Sequence, residues 1–556
     1  MAAEIFGREL SDINPFAFGR LVERLLWHLE FSGVSYVDGS GDGGADIVAV
    51  QAGQRWVFQV KSKSRGPVGE EAVDELLGGM QKYGAERGAV VTNTSFTKSA
   101  AARTAAIQRA SGLKLGLWAR PELEGLFEDP GLLMRYSNPE LRAYQTEAFQ
   151  AAQHDIQRTG KAFIVLATGL GKTVIAGTVI DWYLSKNREA RVLVLAHTLD
   201  LVDQLERALW RHVPATVSTQ QLNSREKPQN LPGVTVATIQ SAISYIRRGF
   251  RPDFIFVDEA HHTGEASQLA EALLACPGAI WLGATATPWR GDEFDVTHYF
   301  GKPSFKLGIE EGMRLGFLAD VKYQLFVDNI NWEYVHEQSE KNLTIKDLNR
   351  QLFLPQRDES IRDELYEVWI RTVAPRGIVF CQTIEHCERL AEVLRQIPAW
   401  GATATLHNEV PKTEQKARLA KFRLGDVPIL VAVDILNEGV DVPDVNVVCF
   451  ARVTHSRRIF IQQLGRGLRL SPGKSHVSVL DFVSDLKRVA AAMQLRADVV
   501  EDPETLYLPS SHSITFSDVD AESLLTEWIY DAADLETTAE ETKLNFPPFV
   551  GSKKSL

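Results

Sequence analysis

From about residue 138 the chain alternates short apolar segments with helical segments, and this alternation restricts the fold more than any other feature. The segments are apolar on both faces, so both faces of each strand are predicted to be buried, as in a parallel sheet between helices. The first series comprises residues 163–166, 192–195, 234–237, 254–257 and 279–283. A second series begins near Val321 and includes residues 377–380, 429–432 and 447–450. The sequence therefore predicts two successive parallel α/β sheets.

The chain has 556 residues, which is too long for one hydrophobic core. Ahead of the two sheets, an amphipathic helix (15–31) and a β-hairpin (46–50 and 55–61) predict a separate α/β domain. We predict an α/β fold throughout, with the domains bounded as follows: a front domain 1–128, a linker 129–138, a first lobe 139–318, a second lobe 319–490 and a short acidic C-terminal region 491–556.

The net charge of −12 is concentrated near the C-terminus. Twelve Asp and Glu residues follow Val500, against only three lysines. The rest of the chain is close to neutral, so it can still carry basic grooves that bind a polynucleotide. We expect such a ligand to lie away from the acidic region.

The four cysteines form no CxxC pair, which argues against a zinc site and favours a reducing compartment. No apolar run is long enough to span a bilayer, and the N-terminus lacks the pattern of a signal peptide. These features predict a cytoplasmic protein without a membrane partner.

Residues 167–173 (ATGLGKT) follow an apolar strand and open a helix. Glycines at such a position let backbone N–H groups approach phosphate oxygens at a helix N-terminus. We predict that Lys172 faces the β- and γ-phosphates of ATP and that Thr173 ligates Mg²⁺. The other predicted contacts of this loop are Thr168, Gly169 and Gly171.

A second strand, residues 254–257, ends in an acidic pair. The spacing after the phosphate loop predicts that Asp258 holds the Mg²⁺ ion and that Glu259 orients the attacking water. The two motifs together predict an ATPase that uses Mg²⁺.

Residues 139–490 resemble superfamily 2 helicases with a DEAH box, in the layout of restriction-enzyme motor subunits. Residues 141–145 (LRAYQ) resemble the adenine-reading segment, which implies adenine contacts from Arg142 and Gln145. Residues 196–198 (AHT) and 238–241 (TIQS) resemble strand-contacting motifs, and residues 285–288 (TATP) resemble the motif that couples the two activities. Two RecA-like lobes are implied.

The resemblance extends into the second lobe. Residues 432–443 contain Gly439 and Asp441, which match a motif that joins nucleotide and polynucleotide. Residues 462–469 (QQLGRGLR) resemble the arginine-finger motif, which implies that Gln462 contacts the nucleotide and that Arg466 and Arg469 stabilise the transferring phosphoryl group. Nearby residues of less certain role are His262 and His455, interpreted as surface or cleft-lining, Trp281, interpreted as core, and Trp289, which faces either the core or a strand.

The hairpin of the front domain carries a second set of polar residues. Gln59 and Lys61 share one face of their strand, and Asp46 begins the strand before it. An acid, an amide oxygen and a lysine suit metal-dependent phosphodiester cleavage: Asp46 and Gln59 bind Mg²⁺, and Lys61 orients the water or stabilises developing charge. Glu23 on the first helix is predicted to complete the cluster.

Residues 12–125 resemble the Mrr-like branch of the PD-(D/E)xK restriction endonucleases. The resemblance rests on residues 41–46 (GDGGAD), 59–61 (QVK) and 91–97 (VTNTSFT). The branch often has Glu directly after the helix phenylalanine, whereas Phe18 is followed here by Gly19, and Glu23 is taken as its substitute.

Together the two resemblances imply an ATP-driven motor joined to a DNA nuclease of the restriction or anti-phage kind. Double-stranded DNA is the expected substrate, and a protein partner is a possible source of specificity. Two alternatives stay open: a repair or remodelling translocase whose front domain binds DNA without cutting it, and an RNA helicase.

Overall fold

The structure is a computed structural model. It describes the following residues: 4–11, 13–37, 43–128, 140–263, 267–286, 296–326, 342–344, 358–433, 445–451, 474, 476–482, 514–516 and 543–545. The chain divides into two compact units. The first comprises residues 1–167, 171–307 and 411–424, and the second comprises residues 168–170, 308–410 and 425–556.

The front domain is built on a five-stranded mixed sheet in the order β3-β4-β5-β6-β7. Strands β3, β4 and β5 run antiparallel, whereas β5, β6 and β7 run parallel. The strands of the domain are β1 (Glu4–Ile5), β2 (Arg8–Glu9), β3 (Ser32–Tyr36), β4 (Ile47–Gln51), β5 (Gln54–Lys61), β6 (Arg87–Thr92) and β7 (Lys114–Trp118). Its helices are α1 (Pro15–His28), α2 (Glu71–Tyr83), α3 (Lys98–Ser111) and α4 (Arg120–Glu128).

Local sequence signals account for the first elements of this domain. The Asn14 side chain accepts hydrogen bonds from the backbone N–H groups of Phe16 and Ala17 at the start of α1. Ala52 and Gly53, which join β4 to β5, have positive φ values of 50° and 74°, as a two-residue hairpin turn requires. The predicted helix and hairpin are confirmed.

The two faces of this sheet bury different side chains. Phe18 of α1 shares one hydrophobic cluster with Phe58, and Leu76 of α2 shares another with Val57. Since alternate residues of a strand point to opposite faces, Gln59 and Lys61 lie on the same face as Val57. The polar residues of β5 therefore face the side of the sheet that α2 covers.

The first lobe contains a seven-stranded, fully parallel sheet in the order β10-β11-β9-β12-β13-β8-β14. Its strands are β8 (Lys161–Leu166), β9 (Val192–Ala196), β10 (Thr219–Leu222), β11 (Val234–Thr238), β12 (Phe254–Asp258), β13 (Ile280–Thr285) and β14 (Phe305–Leu307). Its helices are α5 (Ala143–Thr159), α6 (Lys172–Lys186), α7 (Leu199–Leu209), α8 (Ile239–Arg247), α9 (Gln268–Leu274) and α10 (Thr297–Phe300), with a 3₁₀ turn at Ala260–His262.

The second unit contains another seven-stranded parallel sheet, in the order β18-β19-β17-β20-β21-β15-β22. Its strands are β15 (Asp320–Phe326), β17 (Gly377–Cys381), β18 (Ala404–Leu406), β19 (Ile429–Ala432), β20 (Val447–Ala451), β21 (His476–Phe482) and β22 (Ile514–Phe516), and an antiparallel pair joins β16 (Asn342–Thr344) to β23 (Lys543–Asn545). Its helices are α11 (Ile309–Arg314), α12 (Asp358–Arg371) and α13 (Ile384–Arg395), and a further 3₁₀ turn is Pro398–Trp400. Helix α14 (Lys412–Leu424) is grouped with the first unit.

The predicted parallel sheets are thus confirmed, and every residue of β17 and β19 is buried, as their apolar sequences predict. Strand β10, with the sequence TQQL, is one that the apolar pattern does not predict. All four of its residues are nevertheless buried. The Gln220 amide, for example, donates to Thr235 Oγ1 on the neighbouring strand. Within the described ranges, no helix combines the length and apolar character that crossing a bilayer requires.

Candidate active sites

The phosphate loop follows β8 and ends at Lys172, the first residue of α6. Gly169 and Gly171 have φ values of 92° and 85°, a left-handed conformation that side-chain-bearing residues rarely adopt. A Cβ atom on Gly171 would lie 2.7 Å from Gln145 Nε2. The loop thus needs glycine both for its backbone conformation and for the close approach of the predicted adenine-contacting side chain.

Arg142 and Gln145 lie at the start of α5. The Arg142 backbone N–H donates to Gln145 Oε1 at 3.0 Å, which fixes the glutamine side chain. Gln145 is 7% exposed. This buried amide lies beside Gly171, and its contact with adenine stays a prediction from the sequence.

The acidic pair is brought to the same edge of the sheet as the phosphate loop. Strand β12, which ends in Asp258, is separated from β8 only by β13, and all three are parallel. Lys172 Nζ lies 3.2 Å from Glu259 Oε1, and both side chains are largely buried. Residues 87 positions apart are therefore in direct contact, as the ATPase prediction requires.

The backbone and charge of Glu259 are both unusual. Its φ of 50° and ψ of 51° place a non-glycine residue in the left-handed region. Burial alone would raise the pKa of the Glu259 carboxyl, but Lys172 and His261 outweigh burial and hold this pKa well below its usual value. Glu259 is therefore ionised at neutral pH.

His261 connects this pair to the end of β13. Its Nδ1 atom lies 2.8 Å from Thr285 Oγ1 and 3.2 Å from Glu259 Oε2. His261 and Thr285 are 1% and 0% exposed. Thr285 begins the segment predicted to couple hydrolysis to polynucleotide binding, so the contact joins two of the predicted motifs. Trp281, on the same strand, lies in the lobe's hydrophobic cluster, as predicted.

The remaining predicted residues of the motor lie outside the described part of the chain. These residues are Gly439, Asp441, His455, Gln462, Arg466 and Arg469 in the second lobe, and Trp289 in the first. Their roles stay predictions from the sequence.

The second site lies on the front-domain hairpin. Asp46 directly precedes β4, and its Oδ2 atom accepts a hydrogen bond from the Val60 backbone N–H, between Gln59 and Lys61. Asp46 and Gln59 are 6% and 4% exposed. The carboxylate, the amide and the lysine are therefore neighbours across the hairpin.

Gln59 provides the sharpest indication of a ligand. Its Oε1 atom is buried, and within the described part of the chain it accepts no hydrogen bond. A buried polar atom without a partner is costly, and it commonly marks a site that an ion or water completes. A carboxylate and an amide oxygen are hard ligands of the type that Mg²⁺ and other divalent ions prefer, so the residues present fit such an ion.

Lys61 has a partner that the sequence analysis did not identify. Its Nζ atom forms an ion pair with Glu75 Oε2 on α2, and the two side chains are 31% and 44% exposed. The turn before Asp46 packs against the same part of α2, because a Cβ atom on Gly44 would lie 2.1 Å from the Glu75 carbonyl oxygen. Helix α2 thus contributes to the wall of this site.

Three family models match the chain in succession. "Restriction endonuclease" matches residues 10–127, "Type III restriction enzyme, res subunit" matches residues 138–290, and "Helicase conserved C-terminal domain" matches residues 359–471. The matched regions are therefore a restriction endonuclease domain followed by two helicase domains, in the order that the sequence predicts. Domains of these kinds imply the use of ATP and of a divalent metal.

Similar proteins include restriction subunits and translocases. This chain is 28% identical to the type I restriction enzyme EcoAI endonuclease subunit of Escherichia coli, over 61% of this chain and 46% of that protein. It is 25% identical to the EcoKI endonuclease subunit of E. coli (69% of this chain, 38% of that protein) and 26% identical to the DNA 3'-5' translocase XPB2 of Sulfurisphaera tokodaii (59% and 79%). This chain spans less than half the length of either restriction subunit.

A solved structure extends the likeness in fold across nearly the whole chain. The type ISP restriction-modification enzyme LlaBIII superposes with a TM-score of 0.50 at 16% identity, covering 94% of this chain and 42% of that one. At this identity the likeness concerns the fold alone.

Glu23 has a different environment from the one that the sequence predicts. Its carboxylate is 1% exposed and pairs with Arg20 on its own helix and, at 2.5 Å, with Arg207 of α7 in the first helicase lobe. Helix α1 also lies on the face of the sheet opposite to α2. Both observations assign Glu23 to the contact between the nuclease domain and the helicase, away from the polar face of β5.

This contact between α1 and α7 is largely ionic and buried. Arg20 donates to Glu206 Oε2 from Nε and Nη2, at 2.9 and 2.7 Å, and both residues are 2% exposed. Arg24 donates to the carbonyl oxygens of Pro214 and Val217 at 3.1 Å each. The interface between the nuclease domain and the first lobe is therefore polar and buried.

Proposed function

We propose that this chain is an ATP-driven DNA translocase that carries a metal-dependent DNA endonuclease and acts in restriction or anti-phage defence. The observation that supports the proposal is that the chain forms two separate clusters of acidic and basic side chains, each of a kind that suits phosphate chemistry. One is the Lys172–Glu259 pair at the sheet edge, and the other is the Asp46–Gln59 pair with Lys61 on the hairpin. The first suits nucleotide hydrolysis, and the second suits cleavage of a polynucleotide.

In the motor, each residue has a role that its position supports. The backbone of Thr168, Gly169 and Gly171 cradles phosphates, and Lys172 faces their outer oxygens. Thr173 and Asp258 hold Mg²⁺, which supplies neutralising charge when bound. Glu259, already ionised, accepts a hydrogen bond from the attacking water and orients it.

The other motor residues act on the ends of the nucleotide. Arg142 and Gln145 contact the adenine, and Arg466 and Arg469 stabilise charge on the transferring phosphoryl group. Gly439 and Asp441 connect the nucleotide to the polynucleotide in the second lobe, and Gln462 contacts the nucleotide.

In the nuclease, Asp46 and Gln59 would hold Mg²⁺, which would supply the positive charge that polarises a phosphodiester. Lys61 orients the attacking water or stabilises the developing negative charge. Its pairing with Glu75 keeps the ammonium group beside the site and available for exchange to a phosphate. Glu23 is omitted from the metal ligands, because two arginines already occupy its carboxylate.

Double-stranded DNA is the proposed substrate, because the relatives include restriction endonuclease subunits and a DNA translocase. No segment of the sequence has been assigned to target recognition. We therefore propose that a protein partner, or a modification of the DNA, provides specificity, and that the protein works in the cytoplasm.

Incubation with plasmid tests this function. Wild-type protein is incubated with unmodified and modified plasmid, with Mg²⁺ and with or without ATP, and the products are resolved on a gel. Metal-dependent cleavage that Asp46→Ala abolishes supports the nuclease. ATPase that DNA stimulates, without cleavage of any plasmid, would instead identify a translocase whose front domain only grips DNA. Preferential stimulation of the ATPase by RNA would identify an RNA helicase.

A further inference from the structure

Three histidine rings form a continuous series in the first lobe. His262 ends the 3₁₀ turn after Glu259, and its ring centroid lies 4.1 Å from that of His261 and 4.3 Å from that of His197. The interplanar angles are 41° and 64°. The rings thus touch in the order His197, His262, His261, although His197 precedes the other two by more than sixty positions.

One end of the series is attached to the hydrolytic residues. His261 Nδ1 contacts both Thr285 Oγ1 and Glu259 Oε2, at 2.8 and 3.2 Å. Because His261 is 1% exposed, its ring has little free space in which to turn. A displacement of His261 therefore changes the position of the Glu259 carboxylate.

The other end belongs to the segment between β9 and α7. His197 is followed by Thr198, whose Oγ1 accepts the Leu201 N–H and caps α7. His197 Nε2 is buried and, among the described residues, has no hydrogen-bond partner. The contact with His262, rather than a hydrogen bond from Nε2, therefore holds this ring in place.

We propose that His262 is a positioning residue that transmits polynucleotide binding from the His197 segment to Glu259. This proposal rests on the proposed motor function and on the resemblance of residues 196–198 to a strand-contacting motif. Glu259 is paired with Lys172 at 3.2 Å, and hydrolysis requires both groups to turn toward the nucleotide and its water. Packed rings cannot be compressed, so movement of the His197 segment shifts His262 and His261 and favours parting of the Lys172–Glu259 pair.

The left-handed backbone of Glu259 makes this residue sensitive to a small displacement of its neighbours. Such a conformation is disfavoured for a non-glycine residue, so it persists only while its surroundings hold it. His262 lies within the same short turn, three residues after Glu259. The series of histidine rings thus contacts the part of the site whose backbone conformation, at Glu259, is unfavourable.

The test measures the ratio of kcat with and without linear double-stranded DNA, in the full chain. We expect His262→Ala to lower this ratio by about 5- to 150-fold, the usual range of coupling between two sites. His262→Phe retains a ring and should restore most of the stimulation. His154→Ala, which removes an exposed histidine from α5, should match wild type and serves as the control.

A double-mutant cycle tests the ring contact itself. If His197 and His262 act through one another, the ratio for the double alanine variant should be no lower than that for the worse single variant. Additive losses, a wild-type ratio in folded His262→Ala, or failure of phenylalanine to restore stimulation would each overturn the proposal. Absence of stimulation by DNA in the wild type would instead overturn the proposed motor function, so the two failures are distinguishable.

Discussion

The two candidate sites differ in how their charged groups are satisfied. In the motor, Lys172 and Glu259 neutralise each other and His261 is hydrogen-bonded to Thr285. In the nuclease, the Gln59 oxygen is buried without a partner, and Lys61 pairs with a half-exposed carboxylate. On the proposed function, binding of ATP would break an existing ion pair, whereas binding of a metal would satisfy the Gln59 oxygen. The motor lysine thus has to leave a largely buried carboxylate for its ligand, whereas the nuclease lysine has to leave a half-exposed one.

The largest expected effect separates the motor from the nuclease. Lys172→Ala removes the cation that faces the phosphates and leaves Glu259 without its main partner, so DNA-stimulated ATP hydrolysis should fall to background. Phosphate release measures this. Metal-dependent nicking that needs no ATP should persist, and loss of both activities in a folded variant would contradict the independence of the two sites.

The converse variant should have an equally large effect on the other activity. Asp46→Ala removes the one carboxylate assigned to the metal and should abolish cleavage with Mg²⁺ or Mn²⁺, as scored on a plasmid gel. DNA-stimulated ATPase should stay near the wild-type level, because the metal ligands proposed for the motor are other residues, Thr173 and Asp258. Residual metal-dependent cleavage would remove Asp46 from the site.

A third prediction concerns the contact that joins the two sites. Glu206→Ala leaves the buried Arg20 with one carboxylate fewer, and breaking a buried pair costs about 3–5 kcal/mol. Chemical denaturation should detect this loss. Glu271→Ala, which breaks the exposed pair with Arg247, is the matched control and should cost at most about 1 kcal/mol. Equal losses in the two variants would argue against a buried ionic interface.

The smallest expected effect is that of a substitution at Gln59, whose buried Oε1 atom accepts no hydrogen bond within the described part of the chain. Gln59→Glu adds a second carboxylate to the metal site and should lower the Mn²⁺ concentration for half-maximal cleavage by roughly tenfold, or about 1.4 kcal/mol. Gln54→Glu adds the same charge at the exposed start of β5 and should change it little. If both variants shift the metal dependence equally, general charge rather than ligation is responsible.

The sequence predicts that Lys172 and Glu259 lie at the same sheet edge, because the order of the parallel strands decides where they meet. Parallel strands align their carboxyl ends, so a loop after β8 and an acidic pair after β12 must meet at one edge. The same reasoning places Gln59 and Lys61 on one strand face. Pairs such as Lys61–Glu75 and Arg20–Glu206 are different, because they depend on how a helix docks, and no local pattern specifies that.

Two departures have a common physical cause. Glu23 has the helical position expected of a site residue, yet the docking of α1 on α7 gives it two arginines. Strand β10 was not predicted, since its glutamines are polar, yet side-chain hydrogen bonds make their burial tolerable. In both cases the polar groups form hydrogen bonds or ion pairs with residues distant in sequence. A hydrophobic pattern does not predict such partners.

The buried ionic contact between α1 and α7 has a consequence for where cuts would fall. A nuclease domain on a flexible linker reaches many positions along DNA, because the end-to-end distance of such a linker varies widely. A nuclease domain held to the first lobe through Arg20, Glu23 and Glu206 does not have this freedom of position. On the proposed function, scission should then occur at a nearly constant number of base pairs from the point where translocation stalls, so that the protein works as a ruler.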